Sequence, residues 1–215
     1  MHENFRAMDA EKRDKIINAA MREFSAKGFK NASSNEIAKK SGISKSLLFY
    51  YFSSKEDLFQ FLCRYRREFV HTILGPYIQN MPADIFERWR MFAVLRLEIA
   101  AQYPVMTEFA LSILKDEDPG VQAFLKTLQA ERGQFISEFS NKVHEAIDLL
   151  RFRTSIDVPK ALQIIWWTME GFGWPKLKEH DSALLHDHEY RESLMAELDG
   201  YFAVLKKAFY KEEYL

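Results

Sequence analysis

Apolar residues recur along most of the chain at intervals of three and four positions, the spacing that places side chains on one face of an α-helix. No segment combines apolar–polar alternation with the Asn-Gly or Asp-Gly turn of a β-hairpin. Glycine and proline, the residues that punctuate turns, number only 8 and 6 among 215 residues. The pattern therefore predicts an all-α fold.

Signals for helix ends stand out near the N-terminus. A first helix is predicted from about Asp9 to Lys27, and Gly28 is placed to end it in left-handed backbone geometry. Ser33 and Glu36 then have the spacing of a capping box, in which each side chain satisfies a backbone N–H at the start of a second, short helix. These signals predict where the first helix ends and the second begins.

A tight turn separates the second helix from a third. Residues 41–44 read Ser-Gly-Ile-Ser, and Ser44 can cap a helix from Lys45 to about Phe52. Two short helices joined by a turn that holds a glycine form a helix-turn-helix, whose second helix lies in the major groove of DNA. An inert helical hairpin has the same outline, so this pattern alone leaves both interpretations open.

Further helices are predicted over the rest of the chain, which gives about nine in total. The predicted stretches run from Ser54 to a stop at Gly75-Pro76, from starts near Pro82 and Pro104, from Val121 to about Phe152, from about Pro159 to Gly171, and from about Tyr190 to Tyr210. We divide the chain into a three-helix N-terminal domain, residues 1–60, and a larger helical domain, residues 61–215.

Charge is distributed unevenly along the chain. The formal net charge is −1, but residues 1–67 hold 14 Lys and Arg against 8 Asp and Glu, whereas residues 68–215 hold 16 against 23. A basic N-terminal module on an acidic body is the electrostatic footprint of a nucleic-acid-binding protein. A basic solvated surface is the alternative interpretation.

Composition excludes several classes of protein. The hydrophobic fraction is 47% and the charged fraction is 28%, as in globular proteins. Charged residues interrupt the apolar stretches before they reach the roughly 20 residues that a membrane helix needs, and the N-terminus lacks the pattern of a secretory signal. We therefore expect a cytoplasmic protein whose single cysteine, Cys63, is a buried and reduced thiol.

The helix-turn-helix resembles the DNA-binding domain of the TetR family of transcriptional repressors over residues 10 to about 60. The matching segments are residues 28–29 (GF), 37–45 (IAKKSGISK), 48–52 (LFYYF) and 54–58 (SKEDL). The resemblance implies a homodimer that binds a palindromic operator and is released from it by a small-molecule effector. It also implies that residues 61–215 serve effector binding and dimerisation.

The resemblance further implies which side chains face DNA. Side chains at the start of the third helix would reach base edges, and the others would contact the phosphate backbone. The predicted DNA-binding residues are Lys45, Ser46 and Leu47 at base edges, Ser33, Tyr50 and Lys55 near phosphates, and Ser44, the cap of the third helix. Three positions depart from the family pattern: Phe49 lacks the usual tyrosine hydroxyl and is assigned no DNA contact, Leu47 is larger than usual, and Ser34 replaces a branched apolar residue.

The family's last two helices pair with those of a second subunit in a four-helix bundle, which implies a dimer interface on the last predicted helix. The stripe assigned to this interface is Leu194, Leu198, Phe202, Leu205 and Phe209. The alternative is that the stripe belongs to the core of the monomer.

Family architecture also implies an effector cavity in the helical body. The candidate lining residues are Tyr65, Phe69, Trp89, Phe92, Tyr103, Met106, Phe109, Phe124, Trp166, Glu170 and Trp174. So many aromatic groups indicate an apolar or flat aromatic effector, and Glu170 could pair with a cation stacked on tryptophan. For each residue, plain core packing is the alternative.

No sequence motif supports catalysis. The sequence holds no Gly-rich phosphate loop, no cysteine pair and no G-x-S-x-G elbow. His186 and His188, at alternate positions in an apparent loop, are a weak signal for a metal site. We therefore assign no metal, no cofactor and no enzymatic activity. The alternative function is a non-regulatory architectural DNA-binding protein, which would show a steep salt dependence with little sequence preference.

Overall fold

The computed structural model describes residues 2–128, 143, 145–179, 184–185 and 187–215. The α-helices of this part are α1 (Glu3–Arg6), α2 (Ala10–Asn31), α3 (Ser34–Ser41), α4 (Lys45–Tyr51), α5 (Lys55–Gln79), α6 (Ile85–Gln102), α7 (Pro104–Lys115), α8 (residues 119–128), α9 (Val158–Glu179) and α10 (His188–Phe209). Short 3-10 helices cover Leu149–Arg151 and Glu212–Tyr214. The predicted all-α fold is confirmed. Of these helices, none is long and apolar enough to cross a membrane.

The chain folds as two compact units. Unit 1 comprises Met1–Ile73 and Tyr103–Gln134, and unit 2 comprises Leu74–Gln102 and Phe135–Leu215. Unit 1 therefore joins α7 and α8 to the N-terminal helices, although they are separated from them in sequence. The predicted division at residue 60 is a division by function, and it stays a prediction.

The core of unit 1 is built on α2. Ile16, Ala20 and Phe24 recur at every fourth position and are buried, because this spacing aligns them on one face of the helix. The ring of Phe24 lies 5.2 Å from that of Phe59 on α5 and 6.4 Å from that of Phe109 on α7, measured between centroids. Edge-to-face packing of these rings fixes α5 and α7 against α2.

The core of unit 2 joins α6, α9 and α10. Phe86 on α6 packs edge to face against Phe202 and Tyr210, with centroid separations of 5.2 and 5.3 Å. Trp89, almost one turn further along α6, lies 5.4 Å from Trp166 on α9. Aromatic side chains thus supply the contacts that hold the three helices together.

Several predicted helix ends are wrong. Helix α5 continues through Pro76 to Gln79, because a proline removes one backbone hydrogen bond without necessarily ending a helix. Helix α9 likewise continues beyond Gly171 to Glu179. The helix predicted from Val121 to Phe152 does not extend to its expected end, since residues 149–151 form a 3-10 helix and Phe152 makes an isolated β-bridge with Tyr210. Its middle part, residues 129–142, lies outside the described residues.

Gly28 interrupts α2 as the sequence predicts, but in a different conformation. Its φ of 69° and ψ of 169° combine a positive φ with an extended ψ, whereas a left-handed helical residue has a small positive ψ. This region is accessible essentially to glycine alone. The backbone turns sharply here before the last residues of α2 lead into α3.

Candidate nucleic-acid interface

Helices α3 and α4 form a helix-turn-helix whose turn is fixed by local hydrogen bonds. Gly42 adopts the left-handed conformation, with φ 73° and ψ 25°, and its N–H donates to the carbonyl of Lys39. The next N–H, of Ile43, donates to the carbonyl of Ala38 at 3.0 Å. Ser44 then caps α4, because its hydroxyl oxygen accepts the N–H of Leu47 at 3.1 Å. The turn and cap predicted from the sequence are both observed.

One face of this motif is buried and holds it on unit 1. Ile37, Ala38, Leu48 and Phe52 all lie in the core, as apolar residues at these positions should. Ser41 is also buried, and its hydroxyl donates to the carbonyl of Ile37 at 2.7 Å. These residues determine where the opposite face points and are not themselves available to a ligand.

The opposite face presents the start of α4 to solvent. Lys45, Ser46 and Leu47 are all exposed on the first turn of the helix. The Nζ atom of Lys45 lies 5.8 Å from the centroid of the exposed Phe49 ring, close enough for a cation–π contact. An ammonium, a hydroxyl and an apolar side chain can respectively donate to guanine, pair with several base edges and contact a thymine methyl group.

Tyr50 is the most exposed aromatic residue of the motif, with 67% of its surface accessible. Its hydroxyl lies 3.4 Å from Nδ2 of Asn4, in α1. The ring of His2 is also within reach of this region, since Nδ1 lies 3.2 Å from the carbonyl oxygen of Tyr51 and Nε2 lies 3.2 Å from the carboxylate of Asp57. The sequence reasoning missed Asn4 and His2, because they precede the recognisable motif.

Two predicted phosphate contacts are used within the protein. Ser33 caps α3 by accepting the N–H of Glu36 at 3.4 Å. The Nζ atom of Lys55 donates to the carbonyls of Lys30 and Ala32, at 3.0 and 3.1 Å, which leaves one of its three N–H bonds for another acceptor. Both residues therefore stabilise the ends of α2 and α3, and their assignment to phosphate stays a prediction.

A buried carboxylate that the sequence gave no reason to single out lies behind the motif. Glu23 on α2 accepts from the ammonium groups of Lys27 and Lys40, at 2.7 and 2.9 Å, and from the N–H of Ser33 at 3.3 Å. Burial raises the pKa of Glu23, but these hydrogen bonds outweigh burial and lower its pKa to about 2. Glu23 is therefore ionised at neutral pH and connects α2 to both ends of α3.

The predicted effector residues are divided between the two units. Those in unit 1 are Tyr65, Phe69, Tyr103, Met106, Phe109 and Phe124, and those in unit 2 are Trp89, Phe92, Trp166 and Glu170. Phe92, Phe109, Phe124 and Trp89 are buried, whereas the others are partly exposed. The side chain of Trp174 lies outside the described part of the chain.

Two aromatic pairs stand out among these residues. The rings of Phe69 and Tyr103 meet edge to face at 4.7 Å in unit 1, and those of Trp89 and Trp166 meet at 5.4 Å in unit 2. The indole N–H of Trp89 is buried and finds no hydrogen-bond partner among the described residues. A buried donor of this kind can receive an acceptor atom from a ligand or a water molecule.

The stripe assigned to the dimer interface lies mainly in the core of unit 2. Leu194, Leu198 and Phe202 are buried within the chain itself, and Leu205 and Phe209 are partly exposed. The structure thus places the first three where the alternative, monomer core, expected them. Among the described side chains of the last two helices, the exposed large apolar groups are instead Ile164 and Trp167 on α9, and Tyr201 and Val204 on α10.

An open cleft of about 620 Å³ lies in unit 1, and none of the predicted effector residues lines it. Its lining comes from the end of α2, the end of α7, the segment that joins α7 to α8 and the first residue of α8: Ser25, Lys27, Gly28, Phe29, Lys30, Asn31, Ser112, Lys115, Asp116, Glu117, Asp118 and Pro119. The described residues contain no cluster of three side chains able to hold a metal ion.

Known proteins are similar to this chain both in the sequence of the helix-turn-helix region and in the fold of nearly the whole chain. Residues 16–62 match the model of the family of bacterial regulatory proteins named after TetR. No curated protein matches the chain significantly. Among solved structures, a TetR family transcriptional regulator from Chloroflexus aurantiacus J-10-FL is 19% identical and superposes with a TM-score of 0.61, over 98% of each chain.

Two further structures have related folds and more specific descriptions. One is the transcriptional regulator FadR from Bacillus subtilis in complex with stearoyl-CoA, 17% identical, with a TM-score of 0.56 over 86% of this chain and 96% of that chain. The other is the ketosteroid transcriptional regulator KstR2 of Mycobacterium tuberculosis, 15% identical, with a TM-score of 0.59 over 95% and 98%. At these identities the likeness shows the fold and does not transfer a ligand.

Proposed function

We propose that this chain, a TetR-family regulator by its N-terminal helix-turn-helix and by its fold, is a repressor that binds a palindromic operator as a homodimer and is released by a small apolar or aromatic effector. The observation that carries the proposal is the exposed first turn of α4. Lys45, Ser46 and Leu47 stand there on a helix whose other face is anchored in the core, as a rigid reading surface requires.

Contacts on this surface would divide into two kinds. Lys45, Ser46 and Leu47 would meet base edges, whereas Tyr50, with its hydroxyl exposed, would donate to a phosphate oxygen. The first turns of α3 and α4 add backbone N–H groups and the positive ends of two helix dipoles. The excess of Lys and Arg in residues 1–67 supports attraction to the DNA backbone at longer range.

A palindromic site requires two copies of the reading helix, and hence a dimer. The best candidate surface is formed by Ile164, Trp167, Tyr201 and Val204, since these large apolar side chains are exposed on α9 and α10. Trp167 and Val204 have 64% and 67% of their surfaces accessible. We name this set the α9–α10 face. It replaces the buried stripe of α10 as the proposed interface.

The effector is proposed to be a largely apolar molecule with at least one hydrogen-bond acceptor. In unit 2, the aromatic pair of Trp89 and Trp166 supports the apolar part, and the N–H of buried Trp89, which has no partner among the described residues, supports the acceptor. Fatty acyl-CoA and steroid compounds combine these properties, and they occur in the descriptions of two proteins of similar fold. Stearoyl-CoA and a ketosteroid are therefore the first two probes.

The decisive experiment is selection of bound fragments from the source genome by the purified protein at near-physiological salt, followed by footprinting. Recovery of one palindrome, occupied by a dimer, supports a specific regulator, and release by either probe supports the effector class. Broad recovery without a shared sequence, with a steep salt dependence, would favour the architectural alternative. A Lys45→Ala variant serves as the matched control, because its preference should change at one base position only.

A further inference from the structure

We infer that Asp116, in the loop between α7 and α8, is a positioning residue for DNA binding: its carboxylate holds the corner between α2 and α3 and thereby orients the helix-turn-helix. The inference rests on the proposed function, because its consequence is measured as DNA affinity. Asp116 lies outside the matched DNA-binding segment, residues 16–62, and carries the wrong charge to contact phosphate.

The two oxygen atoms of Asp116 bind two different segments. Oδ2 accepts the backbone N–H of Phe29 at 2.7 Å, and Oδ1 accepts the backbone N–H of Asp118 at 3.0 Å. Hydrogen bonds to an ionised carboxylate are shorter and stronger than those between neutral groups. One side chain therefore joins the α7–α8 loop to the end of α2, within unit 1.

The corner that Asp116 holds has an uncommon backbone conformation. Gly28, immediately before Phe29, has a φ of 69° and a ψ of 169°, and such residues persist only when their surroundings fix them. A Cβ atom on Gly28 would lie 3.4 Å from Oδ2 of Asp116, so the carboxylate rests directly against the glycine. At that distance a Cβ atom would make an ordinary van der Waals contact, so glycine is required here by the positive φ and not by lack of space.

Lys55, at the start of α5, and Glu23, on α2, hold the same corner. Lys55 donates to the carbonyls of Lys30 and Ala32 and lies 4.9 Å from the centroid of the Phe29 ring, and Glu23 accepts the N–H of Ser33. Residues 29–33 lead directly into the cap of α3. Asp116 adds the contact that comes from the α7–α8 loop, so a shift of that loop would change the orientation of α3 and α4.

The test compares Asp116→Ala with Glu117→Ala, at the exposed neighbouring carboxylate. Each variant removes one negative charge, which by electrostatics alone would strengthen DNA binding. We expect Asp116→Ala instead to weaken binding to the genomically selected operator by roughly tenfold, as loss of one charged hydrogen bond from a required conformation predicts. Glu117→Ala should bind as well as the wild type or slightly better. Asp116→Asn, which keeps a carbonyl oxygen for the Phe29 N–H, should retain most of the affinity.

A second measurement distinguishes local loosening of the corner between α2 and α3 from a general loss of structure. Amide hydrogen exchange in the native protein should be accelerated at Phe29 in Asp116→Ala, by roughly tenfold, while exchange in the middle of α2 stays unchanged. A folded Asp116→Ala variant that binds the operator as tightly as Glu117→Ala would overturn the inference. If the wild type selects no DNA sequence, both the proposed function and this inference are refuted. If exchange at Phe29 is unchanged in Asp116→Ala, only the inferred role of Asp116 is refuted.

Discussion

Functional residues were assigned on both α4 and α10 from the sequence, but the assigned residues differ in their exposure in the structure. In α4 the assigned residues are the exposed ones, and Lys45, Ser46 and Leu47 lie on the surface. In α10 the assigned residues form the apolar stripe, and Leu194, Leu198 and Phe202 are buried within the chain. An apolar stripe at helical spacing marks the face that a helix buries first in its own unit. A partner can use only the face that remains.

The largest expected effect is the difference in stability between a substitution on the buried face of α10 and one on its exposed face. Leu198→Glu places an unpaired charge in the core of unit 2 and should cost about 4 kcal/mol or more, enough to prevent folding. Val204→Glu, on the α9–α10 face, should change stability by about 0.5 kcal/mol or less and shift the protein from dimer to monomer. Thermal unfolding and light scattering after size-exclusion chromatography measure the two effects. A Val204→Glu protein that stays dimeric would reject the α9–α10 face as the interface.

Glu23 provides the next largest effect, on the buried side of the DNA-binding helices. Its folded pKa, about 2, is lower than its value in the unfolded chain, so its stabilisation is present above the unfolded pKa and is lost as pH falls from about 4.5 towards 2. A shift of this size corresponds to about 3 kcal/mol. Glu23→Gln should lose most of this at pH 7, and its stability should depend less on pH in that window. Urea unfolding at several pH values measures both.

Glu11→Gln is the matched control for Glu23. Glu11 also lies on α2 and pairs with a lysine four residues away, at 2.7 Å, but both side chains are exposed. Removing its charge should cost roughly 0.5 kcal/mol or less, because solvent screens an exposed pair. Equal losses for the two variants would show that burial of Glu23 has no energetic consequence.

Variants of Lys55 and Tyr50 allow a residue that supports the fold of the interface to be distinguished from one that contacts DNA directly. Lys55→Ala removes the donor to two carbonyls and should lower the free energy of unfolding by about 1 to 2 kcal/mol as well as weakening DNA binding. Tyr50→Phe should leave stability unchanged and weaken binding to all sequences by roughly threefold, as loss of one phosphate contact predicts. Calorimetry and binding titrations give the two quantities. Unchanged stability in Lys55→Ala would assign that residue to phosphate alone.

The smallest expected effect concerns the exposed face of α4. Lys45→Ala should relax preference at one base position by about 1 kcal/mol and leave both stability and binding to unrelated DNA nearly unchanged. Competition between operators that differ at single base pairs measures this preference. If the order of preference is the same in the variant and the wild type, Lys45 does not read a base.

Much of the fold followed from local patterns, and the differences arise where tertiary packing overrides a local signal. The caps at Ser33 and Ser44 and the turn at Gly42 were predicted correctly, because each involves residues within four positions of one another. The reciprocal half of the predicted capping box is wrong, since the N–H of Ser33 donates to Glu23 on α2 and not to Glu36. The stop predicted at Pro76 and the helix predicted to reach Phe152 were wrong, since the packing around a segment decides whether it continues through a weak signal.

The candidate site was predicted in part, and the missing residues share one property. Lys45, Ser46, Leu47 and Tyr50 were found because they lie in a continuous segment that resembles a known motif. Asn4 and Asp116 were missed, because their contacts join residues 46 and 87 positions apart. No periodicity or spacing rule connects residues at such separations.

Sequence was sufficient to establish that the chain is helical, that a helix-turn-helix lies near its N-terminus, and which face of α4 is exposed, because these depend on side-chain periodicity and on hydrogen bonds within single turns. The fold was needed to establish that α7 and α8 join the N-terminal helices in one unit and that Asp116 reaches the backbone of Phe29. It also separated the buried stripe of α10 from the face that stays exposed. These features depend on which helices pack together, and that packing is decided by contacts across the whole chain, not by residues adjacent in sequence.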